Sequence, residues 1–250
     1  MVSAHPLSLY TSRPLHVISL NPFSPWNLKR QGLPIYAHFC SWTKPKMSQV
    51  PRIDKVSALS PHEAKWTELR KIEWTDQSGQ PRVWEAAARK TRGSTGVDAV
   101  TIAPIIRHPS RPVSTLIILQ YRPPVGATCV EFPAGLIDEG ETAQQAAIRE
   151  LKEETGYEGK VIDHTPTLVS DPGLTTANLQ CVTIEVQLKE SDAEPEQHLD
   201  DGEFIERRIV PVTELYDTLQ ALASDKDKII DARRLFHWAL GLKWSSTLLS

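Results

Sequence analysis

The sequence predicts an α/β fold in which a mixed β-sheet is sandwiched between helices and an N-terminal β-hairpin forms a subdomain. Three observations carry this expectation. Short runs rich in β-branched and aromatic residues stand before and after one strongly periodic helical segment. Two further helical periodicities close the chain, and polar, Gly- or Pro-containing stretches separate the runs.

Glu63–Trp74 and Arg82–Lys90 are strand-like, and the polar stretch Asp76–Gln80, containing Gly79, reads as the hairpin turn between them. Val97–Arg107 and Val113–Tyr121 form a second pair around His108-Pro109-Ser110, with Thr115–Gln120 apolar enough to be buried. Pro123-Pro124 ends that pair, because proline has no amide to give a strand ladder. Thr128–Phe132 begins a short strand leading into Pro133-Ala134-Gly135. The clearest helix follows: Thr142 caps it after the Gly140 turn, Ala143, Ala146, Ala147, Leu151 and Thr155 recur at helical spacing, and Gly156 stops it. Strands are expected at Val161–Val169 and Leu179–Leu188, then an acidic loop over Glu190–Glu203, then a strand at Phe204–Val210. Val212–Ala223 and Ile230–Leu242 repeat apolar residues at i, i+3 and i+4 and read as terminal helices.

Residues 1–50 differ from the rest. No Asp or Glu precedes Asp54, whereas Arg13, Lys29, Arg30, Lys44, Lys46 and Arg52 do, among seven prolines. Such a basic, Ser-containing, acid-free leader has the composition of a mitochondrial transit segment. Pro6 and Pro14 would break the amphipathic helix on which import relies. A disordered leader and a translation start at Met47 therefore stand beside that reading. With the leader set aside, residues 55–95 are expected to form the hairpin subdomain and residues 96–245 the main domain. The expected compartment is the cytoplasm, with access to the nucleus, or the mitochondrion if residues 1–46 are a transit segment.

A net charge of −3 supplies no global basic field for nucleic acid or a membrane surface, and neither partner is expected. No apolar run approaches the roughly 18 residues of a membrane-crossing helix. Cys40, Cys129 and Cys181 are too few and too scattered for a disulfide framework or a C-x-x-C metal site.

The chemistry concentrates in one stretch. On a helix, Glu150, Glu153 and Glu154 crowd one edge while Leu151, Ala147 and Ala143 turn to the core. Carboxylates this close raise each other's pKa unless a cation neutralises them, and clustered oxygens suit a hard cation shared with substrate phosphates. Arg149 is placed to pair with Glu141 or to hold a glutamate in its coordinating rotamer. Gly135 and Gly140 let backbone approach the cluster.

The ordered spacing is Gly135, five residues, Glu141, seven residues, Arg149-Glu150-Leu151, one residue, Glu153-Glu154, one residue, Gly156, then apolar Tyr157. It resembles the Nudix box at every specified position. Trp84-Glu85, Arg122-Pro123-Pro124, Glu131 to Asp138, Asp171-Pro172-Gly173-Leu174 and Asp201-Gly202-Glu203-Phe204 are similar to the ADP-ribose pyrophosphatase branch of that family, with Pro172 as its usual mark.

The resemblance implies the Nudix fold and Mg²⁺, with Mn²⁺ as a substitute, as cofactor. It implies Glu150 and Glu154 as principal metal ligands, Glu153 assisting and the Ala134 carbonyl completing the site. Glu203 corresponds to a catalytic glutamate acting as base or added ligand, with Glu153 and Arg149 also in the catalytic set. Trp66 and Trp84 match the aromatic residues that sandwich adenine, Glu85 its amino-group acceptor, Arg89 and Arg122 the diphosphate contacts, and Asp171 the terminal-ribose contact; Leu136 also falls on the substrate side. A homodimer is implied, its N-terminal hairpin crossing to the partner. The implied reaction splits ADP-ribose into AMP and ribose 5-phosphate. Another nucleoside diphosphate derivative, or a non-catalytic nucleotide sensor, stands as the alternative.

Overall fold

The structure, a computed structural model, describes residues 49–248. The leader expected over residues 1–50, with Cys40 and Met47, lies outside the described residues except for its last two. In chain order the elements are β1 (Thr67–Thr75), β2 (Pro81–Arg89), β3 (Ala99–His108), β4 (Arg111–Arg122), β5 (Ala127–Glu131), β6 (Ala134–Leu136), α1 (Ala143–Thr155), β7 (Lys160–His164), β8 (Leu168–Val169), β9 (Asn178–Gln187), β10 (Ile205–Pro211), α2 (Leu215–Ala223), β11 (Lys228–Ile230) and α3 (His237–Leu248).

Alternation along β4 sets the layers. Leu116 and Ile118 point to one side of the sheet and Ile117 and Leu119 to the other, as the period of two requires, and all four are buried. Leu116 and Ile118 join Val100 and Ile102 of β3 and Val182 and Ile184 of β9 against Ala143, Ala146, Ala147 and Leu151 of α1. Ile117 and Leu119 meet Leu215 and Leu219 of α2 and Ala239 of α3. The sheet is therefore enclosed by helices on both faces, as expected. It is mixed: β3 runs parallel to β9 and β11 to β5, and the other pairings are antiparallel. β1 and β2 form a separate two-stranded sheet, with one isolated parallel bridge from Ala87 of β2 to Thr175. Among the described residues no helix is long and apolar enough to cross a membrane.

Four expectations need correction. The single strand at Val161–Val169 is two, β7 and β8, because Pro166 falls between them and cannot donate to the β9 ladder. The terminal helix does not begin at Ile230: Lys228–Ile230 pairs with β5, a π-type turn follows over Ala232–Phe236, and α3 starts at His237. A short run such as Ile229-Ile230 satisfies either period, and pairing with β5 decides it. Val212–Glu214 is a 3₁₀ turn ahead of α2. Finally, Ala134–Leu136, expected only as a loop, is a strand on β3.

Candidate active site

Helix α1 presents the box glutamates, and its ends are fixed by its own sequence. Thr142 Oγ1 accepts the Gln145 N–H at 3.2 Å while Gln145 Oε1 accepts the Thr142 N–H at 2.8 Å, a complete capping box. Gly156 closes the helix in the left-handed region at φ 75°, its N–H bonded to the Lys152 carbonyl. Because Ala143, Ala147 and Leu151 are buried, the edge carrying Arg149, Glu150 and Glu153 borders a cleft of about 590 Å³. Arg89 and Arg122, Ala134 to Leu136, Asp200 and Glu203 line the same cleft.

Arg149 organises the acids. Its guanidinium grips Glu141 with two bonds (Nε–Oε1 3.0 Å, Nη2–Oε2 2.9 Å), reaches Glu150 at 2.8 Å and Glu153 at 3.1 Å through Nη1, and donates to the Leu136 carbonyl at 3.0 Å. These are the forked, charge-assisted contacts that lysine cannot reproduce. The Arg149 hydrogen bonds hold the Glu141 carboxyl below its ordinary range.

Glu154 lies deeper, 3% exposed, accepting the Ala134 N–H at 3.0 Å. Burial pushes its pKa up to about 8, against the pull of that N–H, and the charges of Glu150 and Glu203 add to the rise. Glu150 is also raised, first by burial and then by Glu153 and Glu203, although Arg149 opposes. A Cβ on Gly135 would stand 1.9 Å from the Glu150 carboxyl, so any side chain there would displace that carboxyl.

These groups fit a hard divalent cation. The charges of Glu150 and Glu203 add to the rise that burial gives Glu154, and those of Glu153 and Glu203 add to the rise at Glu150, while the Ala134 amide and Arg122 offset the charge of Glu154. Among the described residues no three acids converge on a single point in this conformation, since Glu150 turns to Arg149 and Glu154 to Ala134. Released from those partners, the two carboxylates would supply the oxygen donors that a hard cation takes.

The structure thus gathers Arg89, Arg122, Ala134, Leu136, Arg149, Glu150, Glu153 and Glu203 at one cleft, with Glu154 beneath. Arg122 also bonds Glu131 at 2.8 Å. Trp66, Trp84, Glu85 and Asp171 are not among the residues lining it. Trp84 sits on β2, half exposed, its indole N–H donated to the Gly173 carbonyl at 3.1 Å. The loop carrying Asp171 is bound to β2 where the Ala87 N–H meets the Leu174 carbonyl, and the Asp171 carbonyl accepts the Leu174 and Thr175 amides. Sequence reasoning missed Asp200 and Arg234, both on the cleft. Neither lies in a motif; Arg234 arrives from the π-type turn, ion-paired to Asp231 at 2.8 Å.

Comparison with known proteins follows the same lines. A NUDIX domain model matches residues 99–232. The chain is 45% identical over 195 residues to an uncharacterized Nudix hydrolase of Schizosaccharomyces pombe, covering 78% of this chain and 94% of that protein. It is 42% identical to the ADP-ribose pyrophosphatase of Saccharomyces cerevisiae, covering 76% of this chain and 82% of that one. Identity to the ADP-sugar pyrophosphatase of Mus musculus is 34%, covering 74% and 85% of the two chains. In fold it is similar to the crystal structure of an ADP compounds hydrolase, with a TM-score of 0.53, 24% identity, and 83% of this chain and 97% of that one covered. With the box glutamates gathered on one capped helix and the family model spanning the sheet that carries them, the chain belongs to the Nudix hydrolase family.

Proposed function

We propose that this protein hydrolyses the diphosphate of ADP-ribose and related ADP-sugars, giving AMP and ribose 5-phosphate from ADP-ribose, with Mg²⁺ as its cation and Mn²⁺ as a substitute. The observation that carries the reading is the cleft itself: half-buried Glu150 lines it together with Glu153, Glu203 and the guanidinium groups of Arg89 and Arg122, and buried Glu154 is close enough for the charges of Glu150, Glu203 and Arg122 to act on it. Nudix ADP-ribose pyrophosphatases depend in general on divalent metal. Glu150 and Glu154, with Glu153 and the Ala134 carbonyl, would hold the cation, which supplies charge to the diphosphate oxygens and lowers the pKa of the attacking water. Arg89 and Arg122 bind and orient the diphosphate. Glu203 takes the water's proton or adds a ligand, and Arg149 holds Glu141, Glu150 and Glu153 in place. The protein's contribution is position and charge.

We also read residues 55–95 as a dimerisation hairpin beside a hydrolase domain over residues 96–245. In the β1–β2 register Thr67 lies opposite Arg89 and Ile72 opposite Trp84, so Trp66 and Trp84 stand about 20 Å apart along the hairpin. A ring stacked between two others needs them about 7 Å apart, so the pair cannot grip one adenine within a chain. A homodimer in which Trp66 and Trp84 serve a site from different chains removes that conflict. Leu69, 89% exposed, and Val83, 57% exposed, give the hairpin an apolar surface for such a partner.

Product identification tests the reading. Purified protein given ADP-ribose and ADP-glucose with Mg²⁺ should release AMP and a sugar phosphate, and EDTA should stop it. No AMP from either substrate would sink the assignment.

A further inference from the structure

The last three carbonyls of α1 find partners in the acidic loop and the strand after it. An α-helix leaves its last carbonyls unpaired, and a buried end must recruit donors from elsewhere. Here the Glu153 carbonyl accepts the His198 N–H at 2.8 Å, the Glu154 carbonyl accepts Gln197 Nε2 at 2.6 Å, and the Thr155 carbonyl accepts Arg207 Nη1. Gln197 and Arg207 each grip a second point. Gln197 also bonds the Ile205 carbonyl at 3.2 Å, two residues past Glu203. Arg207, largely buried, bonds the Pro195 carbonyl at 2.5 Å and Glu194 at 3.0 Å, and its guanidinium lies 5.6 Å from the Tyr157 ring centroid. Gly156 admits the loop: a Cβ there would stand 2.2 Å from the Glu196 carbonyl oxygen.

We propose that Gln197 and Arg207 are positioning residues, forming a clasp that ties residues 194–198 to the end of α1 and so holds Glu203 in register with Glu150 and Glu154. The backbone route is short. Glu153 and Glu154 bear side chains of the acidic site and carbonyls of the clasp at once, while Glu203 sits between Gln197 and the Ile205 carbonyl it grips. Between the clasp and Glu203 lie Leu199, packed on the core, and a turn from Asp200 to Gly202 with Gly202 at φ 85°, closed by the Glu203 N–H on the Asp200 carbonyl at 3.0 Å and by the Asp200 N–H on the Glu203 carboxylate at 3.3 Å. Acids on two different elements thus share one mechanical link. This inference rests on the hydrolase reading for its kinetic consequence, although not for the clasp itself.

The experiment uses the full chain and two readouts. By hydrogen exchange, Gln197→Ala should expose the His198 amide at least about tenfold faster than in the parent protein, with exchange in the sheet unchanged. Steady-state kinetics with ADP-ribose should show kcat lowered about tenfold and KM within about twofold, since a shift of about an ångström in a reacting group is costly while the binding arginines lie elsewhere. In a Glu203→Gln background the same substitution should have almost no further effect on kcat, as expected when one residue acts through the other. An equal fractional loss in both backgrounds, or a His198 amide as protected as in the parent, overturns the proposal. Arg207→Lys, which keeps the charge but loses the three-way grip, repeats both measurements should Gln197→Ala not fold. If the parent protein cleaves no ADP-sugar, the hydrolase reading fails and the exchange measurement alone decides the clasp.

Discussion

Replacing Glu154 by glutamine should make the protein more stable while destroying its activity. The carboxyl is 3% exposed and its pKa is pushed from the ordinary 4.5 to about 8 by burial. The sign follows from linkage. Between those values the unfolded chain has released the proton and the native chain keeps it, so stability is full below pH 4.5 and falls as pH rises through about 8. At about 1.4 kcal/mol per pKa unit, the cost without a cation reaches about 3 kcal/mol at pH 7. Glutamine cannot ionise, and its amide oxygen can still accept the Ala134 N–H. In EDTA at pH 7 the Glu154→Gln protein should therefore exceed the parent by about 3 kcal/mol, roughly 8 °C in melting temperature for a chain of this size. Urea denaturation with EDTA from pH 5 to 8.5 reads this directly: the parent should lose stability across the range and the variant should not. Mg²⁺ should stabilise the parent and leave the variant unmoved. Parallel stability curves for the two proteins would refute the argument, because Glu154 would then ionise in the fold without penalty.

Four other outcomes follow from the same geometry. Glu154→Gln should lower kcat by several orders of magnitude with Mg²⁺ present, and activity within about tenfold of the parent would remove that residue from the metal-ligand set. Gly135→Ala places a methyl 1.9 Å from the Glu150 carboxyl, so kcat should fall about a hundredfold while circular dichroism stays unchanged. Arg149→Lys keeps the charge but loses the double grip on Glu141 and the bond to the Leu136 carbonyl; it should cost about 2 kcal/mol in stability by urea titration and still more in rate. Trp84→Ala should raise KM for ADP-ribose about tenfold with kcat little changed, and an unaltered KM would return that tryptophan to a purely structural part in the contact with Gly173.

The box was legible because its chemistry is local. Thr142 and Gly156 mark the ends of α1, alanines and Leu151 mark its buried face, and glutamates at helical spacing must then share the opposite edge. The pairing of Arg149 with Glu141 was likewise readable, since Glu141 directly precedes the Thr142 cap and Arg149 lies about two turns along the same helix. Where elements were misjudged, the reason was an apolar run too short to declare its period, as at Ile229-Ile230, or a proline whose effect depended on the neighbouring strand, as at Pro166.

Sequence by itself determined the layered fold, the single capped helix and the cluster of acids upon it, because hydrophobic period and capping act within a few residues. Only the tertiary structure decided which distant groups face that cluster: Arg234 and Asp200 on the cleft, the docking of the Asp171 loop on β2, and the clasp from Gln197 and Arg207 to the end of α1. Their positions are set by strand pairing and by buried carbonyls that had to find donors, and neither constraint leaves a mark in the local order of residues.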